Sequence, residues 1–195
     1  LFQENKFKYK YENSIVYLGL SGEEQGLFGG AGFAKCAGNY GASFFPTRLA
    51  KEEGFDQILW TDGRENKYIE ESGTMNVMFI INGTLITPST SDSILDGITR
   101  DSILSLTNEM DMPVEIKKIS VDDLEKALKE NQVSEAFGTG TAAVVAPIES
   151  ISINGHNYIL PAIDENAFML RAKKKLMQIR TGVAADKFSW NTIIE

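Results

Sequence analysis

Val77-Met78-Phe79-Ile80-Ile81-Asn82-Gly83-Thr84-Leu85-Ile86-Thr87 holds two apolar, β-rich runs joined by an Asn-Gly pair. A tight hairpin needs two central residues that tolerate positive φ, so the stretch reads as two antiparallel strands. The same grammar returns where residues 149–153 and 156–160 flank Asn154-Gly155. Upstream, Ile58-Leu59-Trp60 reads as a buried strand and residues 67–71 as a short one. Residues 6–11 alternate aromatics with lysines, and residues 14–20 form another apolar run.

Helical spacing fills the intervals. Phe44, Phe45, Leu49 and Ala50 fit a helix that Gly54 ends. Ile103, Leu106 and Met110 recur at helical intervals, as do Leu124, Ala127 and Leu128 behind the capping sequence Ser120-Val121-Asp122-Asp123. Phe168, Ala172, Leu176 and Ile179 form the stripe of a last helix, with Lys173, Lys174 and Lys175 mostly on its wet face. Hairpins mixed with helices predict α+β architecture rather than regular βαβ winding: one mixed, curved, barrel-like sheet packed by about four helices.

The 195 residues suit a single domain, with 19 Lys and Arg against 27 Asp and Glu and a net charge of −8. That balance opposes sequence-independent binding to nucleic acid or an anionic membrane, both of which need clustered positive charge. No run approaches the roughly 18 apolar residues of a membrane helix, and the first residues lack a signal-peptide core. One cysteine and one histidine exclude an internal disulfide and a His-based metal site. No metal is expected, and the expected compartment is the reducing cytoplasm. Without an initiating Met, the chain is expected to be a fragment or a processed product. Cys36, Trp60 and Trp190 read as packing residues, and His156, after a hairpin turn, as exposed.

Four stretches carry chemistry. Lys35 lies in residues 26–43, a segment almost wholly of Gly, Ala and aromatics that permits close backbone approach. Such a bed is expected to desolvate the lysine, favouring the neutral amine that imine formation requires. It is not a Walker loop, because no Gly-Lys-Ser/Thr follows at the required spacing. Glu70 and Glu71 alternate to opposite strand faces, so one can point inward, where a buried carboxylate needs a cationic or hydrogen-bonding partner. Leu95-Asp96-Gly97-Ile98-Thr99-Arg100 leads into a helix whose free N–H groups at Ile98 and Thr99 suit a phosphate. Phe137-Gly138-Thr139-Gly140-Thr141-Ala142-Ala143 can form a nest of backbone donors or an ordinary strand-to-strand turn. An amine, a carboxylate and two phosphate-type turns in this order make the inventory for pyridoxal 5'-phosphate.

Through Gly29-Gly30-Ala31-Gly32, Lys35, Asn39-Tyr40, Glu71-Ser72-Gly73-Thr74-Met75-Asn76, Gly97-Ile98-Thr99-Arg100 and Gly138-Thr139-Gly140-Thr141-Ala142, the sequence closely resembles the branched-chain amino acid aminotransferases, of the fold-type IV pyridoxal-phosphate enzymes. The resemblance spans about residues 29–180. It implies that Lys35 holds the cofactor as a Schiff base and shuttles the proton. Tyr40 would bond the phenolic oxygen, and Glu71 the pyridine nitrogen. Ile98, Thr99 and Thr141 would bind phosphate, while Thr141 and Ala142 would offer donors to the substrate carboxylate. The family's smaller N-terminal domain has no counterpart in the sequence, so residues 1–195 are expected to be the large C-terminal, cofactor-binding domain. The implied activity transfers the amino group of leucine, isoleucine or valine to 2-oxoglutarate, in a homodimer or higher oligomer. Among relatives of the same fold, a D-amino acid aminotransferase or an aminodeoxychorismate lyase remains open. So does a noncatalytic fragment that only self-associates.

Overall fold

The computed structural model describes the backbone of residues 15–17 and the whole of residues 30–194. In chain order these are β1 (Ile15–Tyr17), α1 (Phe44–Glu52), β2 (Gln57–Thr61), β3 (Tyr68–Ser72), β4 (Met75–Ile81), β5 (Thr84–Thr87), α2 (Ile98–Thr107), β6 (Val114–Ile116) and β7 (Ile119–Ser120). There follow α3 (Val121–Lys129), β8 (Val133–Gly140), β9 (Val144–Pro147), β10 (Ser150–Ile153), β11 (His156–Ile159) and α4 (Phe168–Arg180). The strand expected over residues 6–11 lies outside the described residues.

β4 is the spine. Its Val77 and Phe79 face one core with Leu59, Ile69, Leu124 and Ile151, whereas Met78 and Ile80 face another with Ile103, Leu106, Phe168 and Leu176. Helix α3 packs on the first face, and α2 with α4 on the second, so both sides of the strand are covered. An unbroken apolar run, not an alternating one, is what a strand buried on both faces requires.

One edge of β4 pairs with β8 from Asn76 to Ile81; the other pairs with β3 at its start and with β5 at its end. β3 likewise pairs with β2, β4 and β7. A strand whose edge is shared by two partners must splay them. β1 lies between β10 and β2, parallel to both, so the sheet is mixed as expected. Both Asn-Gly hairpins form, with Asn82, Gly83, Asn154 and Gly155 all at positive φ between 50° and 78°. Ser120 caps α3 by accepting the Asp123 N–H at 3.0 Å.

Helix α1 departs from its apolar spacing. Its buried positions are Pro46 and Ala50, set against Ile58 and Trp60, while Phe44 is 73% and Phe45 55% exposed. On α4, Lys173 and Lys175 are half-buried rather than fully wet: Lys173 Nζ donates to Val145 O, and Lys175 pairs with Glu109. Among the described residues no helix is long and apolar enough to cross a membrane.

Candidate functional site

Glu71 is the last residue but one of β3, beside a turn at Gly73 whose φ of +58° lets the chain reverse at once into β4. The reversal makes Asn76 the cross-strand partner of Glu71. Glu71 is 8% exposed; Asn76 Nδ2 donates to its Oε1 at 3.1 Å, and the Leu95 N–H donates to the same carboxylate. Glu70 points the other way and accepts from the Ser93 hydroxyl, as alternation along a strand requires. No lysine or arginine among the described residues reaches Glu71 at salt-bridge distance. Burial therefore pushes its carboxyl up to about 7; the Leu95 N–H and the more distant Lys35 pull the other way, and the neighbouring Glu70 charge adds to the rise.

The glycine-rich turn docks by backbone on the segment at Asp92 and Ser93. The Phe33 N–H donates to Asp92 O at 2.9 Å, and a Cβ at position 32 would lie 2.6 Å from Ser93 Cα, so only glycine fits. Asn39 Nδ2 donates to Ala31 O at 2.8 Å and Ala34 O at 3.0 Å, which holds the loop closed around Lys35. The Lys35 Nζ lies 5.5 Å from the Tyr40 ring centroid. Gly32, Ala34, Asn39 and Tyr40 line one small cavity with Glu71 and Leu95.

Two expectations fail in this turn. Lys35 is exposed, not desolvated, and Cys36 is exposed rather than packed. The reason is that the turn grips the body through main chain at Gly32 and Phe33, while the large side chains that would fold over the amine point outward: Phe33 is 59% exposed.

Helix α2 opens at Gly97, which is extended and supplies no side-chain cap, so the N–H groups of Ile98 and Thr99 have no side-chain acceptor at the helix start. The Ile98 side chain is 85% exposed and Thr99 half-buried. Below them the Arg100 guanidinium is buried; it donates to Pro88 O at 3.0 Å and to Asp96 Oδ1 at 3.5 Å. A methyl at position 97 would overlap Asn76 Oδ1, which places the helix start directly against the group that holds Glu71.

Thr141 and Ala142 are exposed in the turn joining β8 and β9. Gly138, Thr139 and Gly140 belong to β8 itself, so the donor nest considered above is not formed there; strand pairing with β4 and β9 uses that backbone. Because β8 runs antiparallel to β4 with Thr139 opposite Asn76, its end reaches the start of β4. Among the described residues the buried Thr139 hydroxyl has no hydrogen-bond partner, and neither has that of Ser72. His156 is exposed; Trp60 is buried with Nε1 donating to Gly73 O, and Trp190 stacks on Phe188 at 4.3 Å.

The fold thus brings Tyr40, Glu71 and the start of α2 into one group, with Lys35 beside Tyr40. Thr141 and Ala142 share that end of the sheet but make no side-chain hydrogen bond to the group. Asn76, Leu95 and Gly32 are site residues that sequence reasoning assigned no role. The available signal was Gly73 between positions 71 and 76, a tight reversal that puts those two side chains opposite each other. An amine, a phenol, a buried carboxyl with no cation beside it among the described residues, and an uncapped helix start fit a phosphorylated aromatic aldehyde with a basic ring nitrogen, as pyridoxal phosphate is.

Residues 35–151 match the sequence model of the family amino-transferase class IV. The chain is 42% identical over 162 residues to branched-chain-amino-acid transaminase 1 of Bacillus subtilis (strain 168), covering 83% of this chain and 46% of that protein. It is 39% identical over 166 residues to a probable branched-chain-amino-acid aminotransferase of Staphylococcus aureus (strain N315), covering 85% and 46%. The chain thus spans about half the length of these relatives. Among solved structures, the Escherichia coli branched-chain amino acid aminotransferase superposes with a TM-score of 0.74 at 26% identity, over 90% of this chain and 55% of that one. The T.th. branched-chain amino acid aminotransferase complexed with N-(5'-phosphopyridoxyl)-L-glutamate gives 0.73 at 25% identity, over 91% and 55%.

Proposed function

The chain belongs to the amino-transferase class IV family, and from that premise we propose that residues 1–195 form the pyridoxal-phosphate-binding domain of an aminotransferase for branched-chain L-amino acids. The observation that carries this reading is Glu71, a carboxyl buried without a cation among the described residues, in the cavity that Tyr40 also lines. A protonated ring nitrogen placed against it offsets the cost of burying its charge.

When bound, pyridoxal phosphate supplies an electron-withdrawing ring that drains charge from the breaking Cα–H bond. The chain's residues do the rest. Lys35 would hold the cofactor through its Nζ and, as a free amine when substrate is bound, would carry the Cα proton. Glu71 would keep a proton on the ring nitrogen, and Tyr40 would donate its hydroxyl to the ring's phenolic oxygen. The N–H groups of Ile98 and Thr99, at the positive end of α2, would hold the phosphate, and the Thr141 hydroxyl would join them. Backbone donors of Thr141 and Ala142 orient the substrate carboxylate. Leucine, isoleucine or valine gives up its amino group in one half-reaction, and 2-oxoglutarate takes it up as glutamate in the other. The names of the B. subtilis and S. aureus relatives support the branched-chain substrates, and the T.th. complex supports glutamate.

The reading extends to a homodimer in the cytoplasm. Phe33, Phe44, Phe45 and Leu49 are exposed apolar side chains of the kind that subunit contacts cover, and an exposed lone cysteine suits a reducing compartment.

The test is turnover by the complete protein. L-leucine with 2-oxoglutarate is expected to react faster than D-alanine, and the reverse order overturns the substrate assignment. Lys35→Ala is expected to lower turnover about a thousandfold or more, through loss of the attaching amine and proton carrier; near-normal activity rejects the role.

A further inference from the structure

Asn76 stands at a junction that the functional roles above do not use. Its Nδ2 donates both to Glu71 Oε1 at 3.1 Å and to Leu95 O at 2.7 Å. Leu95 closes the circuit by giving its own N–H to the Glu71 carboxylate. On its other side, Asn76 Oδ1 presses against Gly97, leaving no room for a methyl there. Asn76 is 5% exposed, so its two amide hydrogens have these acceptors rather than water. A bridge of this kind joins three segments: the end of β3, the start of β4, and the stretch from Leu95 to Gly97 before α2.

We propose that Asn76 is a positioning residue that holds the Glu71 carboxylate in fixed register with the N-terminus of α2. It touches no reacting atom itself. A planar amide suits the task because both N–H groups lie in one plane at a fixed angle, so moving either acceptor breaks the other bond. Without it, Glu71 loses one of the two donors that favour its ionised form, and Leu95 O loses its partner. The segment from Leu95 to Gly97 is then free to shift relative to β3. The inference rests on the reading of Glu71 and of Ile98 and Thr99 as two ends of one cofactor site, but the clamp itself exists without cofactor.

The test uses the full 195-residue chain and two readouts. The first is the pH titration of the Glu71 side-chain carboxyl, followed by carbon-13 NMR without cofactor. The second is affinity for added pyridoxal phosphate, from the visible band it forms with the protein. Asn76→Ala is expected to raise the Glu71 midpoint by about one pH unit, the worth of one hydrogen bond to a charged group, and to weaken pyridoxal phosphate binding about tenfold. Asn76→Ser, which keeps a hydroxyl too short to bridge both acceptors, is expected to do the same and covers a failure of the alanine variant to fold. Gly97→Ala, which leaves Asn76 in the chain but pushes it aside, is expected to reproduce the effect. Added to Asn76→Ala it changes nothing further, because the group it would strike is gone. An unchanged Glu71 midpoint in the folded variants overturns the clamp. A shifted midpoint in a chain that never takes up pyridoxal phosphate leaves the clamp standing and removes the cofactor reading instead.

Discussion

A carboxyl group such as Glu71, held at about 7 by burial against an ordinary value of 4.5, keeps its proton in the folded chain at a pH where the unfolded chain has released it. Below 4.5 both states are protonated, and the group's contribution to stability is fully present. As pH rises toward 7 the unfolded state ionises first, so that contribution is lost progressively and then levels off. The loss is about 3 kcal/mol at most. Urea unfolding of the cofactor-free chain is therefore expected to show falling stability between pH 5 and 7.5, and Glu71→Gln should flatten that slope. An unchanged slope in the variant would show that Glu71 is not the group responsible. Gly73 is a second residue-scale constraint. A side chain there meets the flexible end of Gln57, which can move, and a φ of +58°, which cannot. Gly73→Ala is expected to cost about 1–2 kcal/mol from the backbone alone, measured as a lower denaturation midpoint at unchanged slope.

Helix α4 shows how one element is fixed by another. Ala167 provides no side-chain cap, and Glu135 of β8 takes that place: its two oxygens accept the Phe168 N–H at 2.7 Å and the Met169 N–H at 2.9 Å. A carboxylate at a helix N-terminus satisfies orphan donors and opposes the helix dipole. Glu135→Ala is thus expected to destabilise the chain by about 2 kcal/mol, and hydrogen exchange should quicken first at the α4 amides; an unaffected α4 would contradict the capping role. Nothing in the sequence near residue 167 announces this cap, since the partner lies 33 residues upstream. The elements that were legible are those written locally: the Asn-Gly hairpins, the Ser120 cap, and the stripe of Phe168, Ala172, Leu176 and Ile179, all four buried. What long-range pairing decides was not. The pairing of β8 with β4 turned Gly138-Thr139-Gly140 from a candidate nest into strand, and the apolar spacing of Phe44, Phe45 and Leu49 marked a side of α1 that faces outward. Within the site, Glu71 and the α2 start were readable because each is a local motif. The exposure of Lys35 was not, because it depends on how a main-chain contact at Gly32 seats the whole turn.

At the scale of the molecule, a spine strand covered on both faces leaves its ends as the places where polar groups collect. The start of β4 gathers Glu71 across the reversal, α2 through Asn76 and Leu95, and the β8 end through Thr139. Beside them, the glycine-rich turn carries an amine on a segment seated through main chain at Gly32 and Phe33. The site is thus a meeting of four segments far apart in sequence, and the amine at position 35 is expected to react in preference to every other lysine. The direct measurement is to add pyridoxal phosphate at equimolar concentration, reduce with borohydride, and map the labelled peptide. Label confined to Lys35, and abolished when Glu71→Gln or Lys35→Ala is tested in parallel, is the predicted result. Label spread evenly over exposed lysines such as Lys51, Lys117 and Lys174, with Lys35 no more reactive than they are, would contradict it.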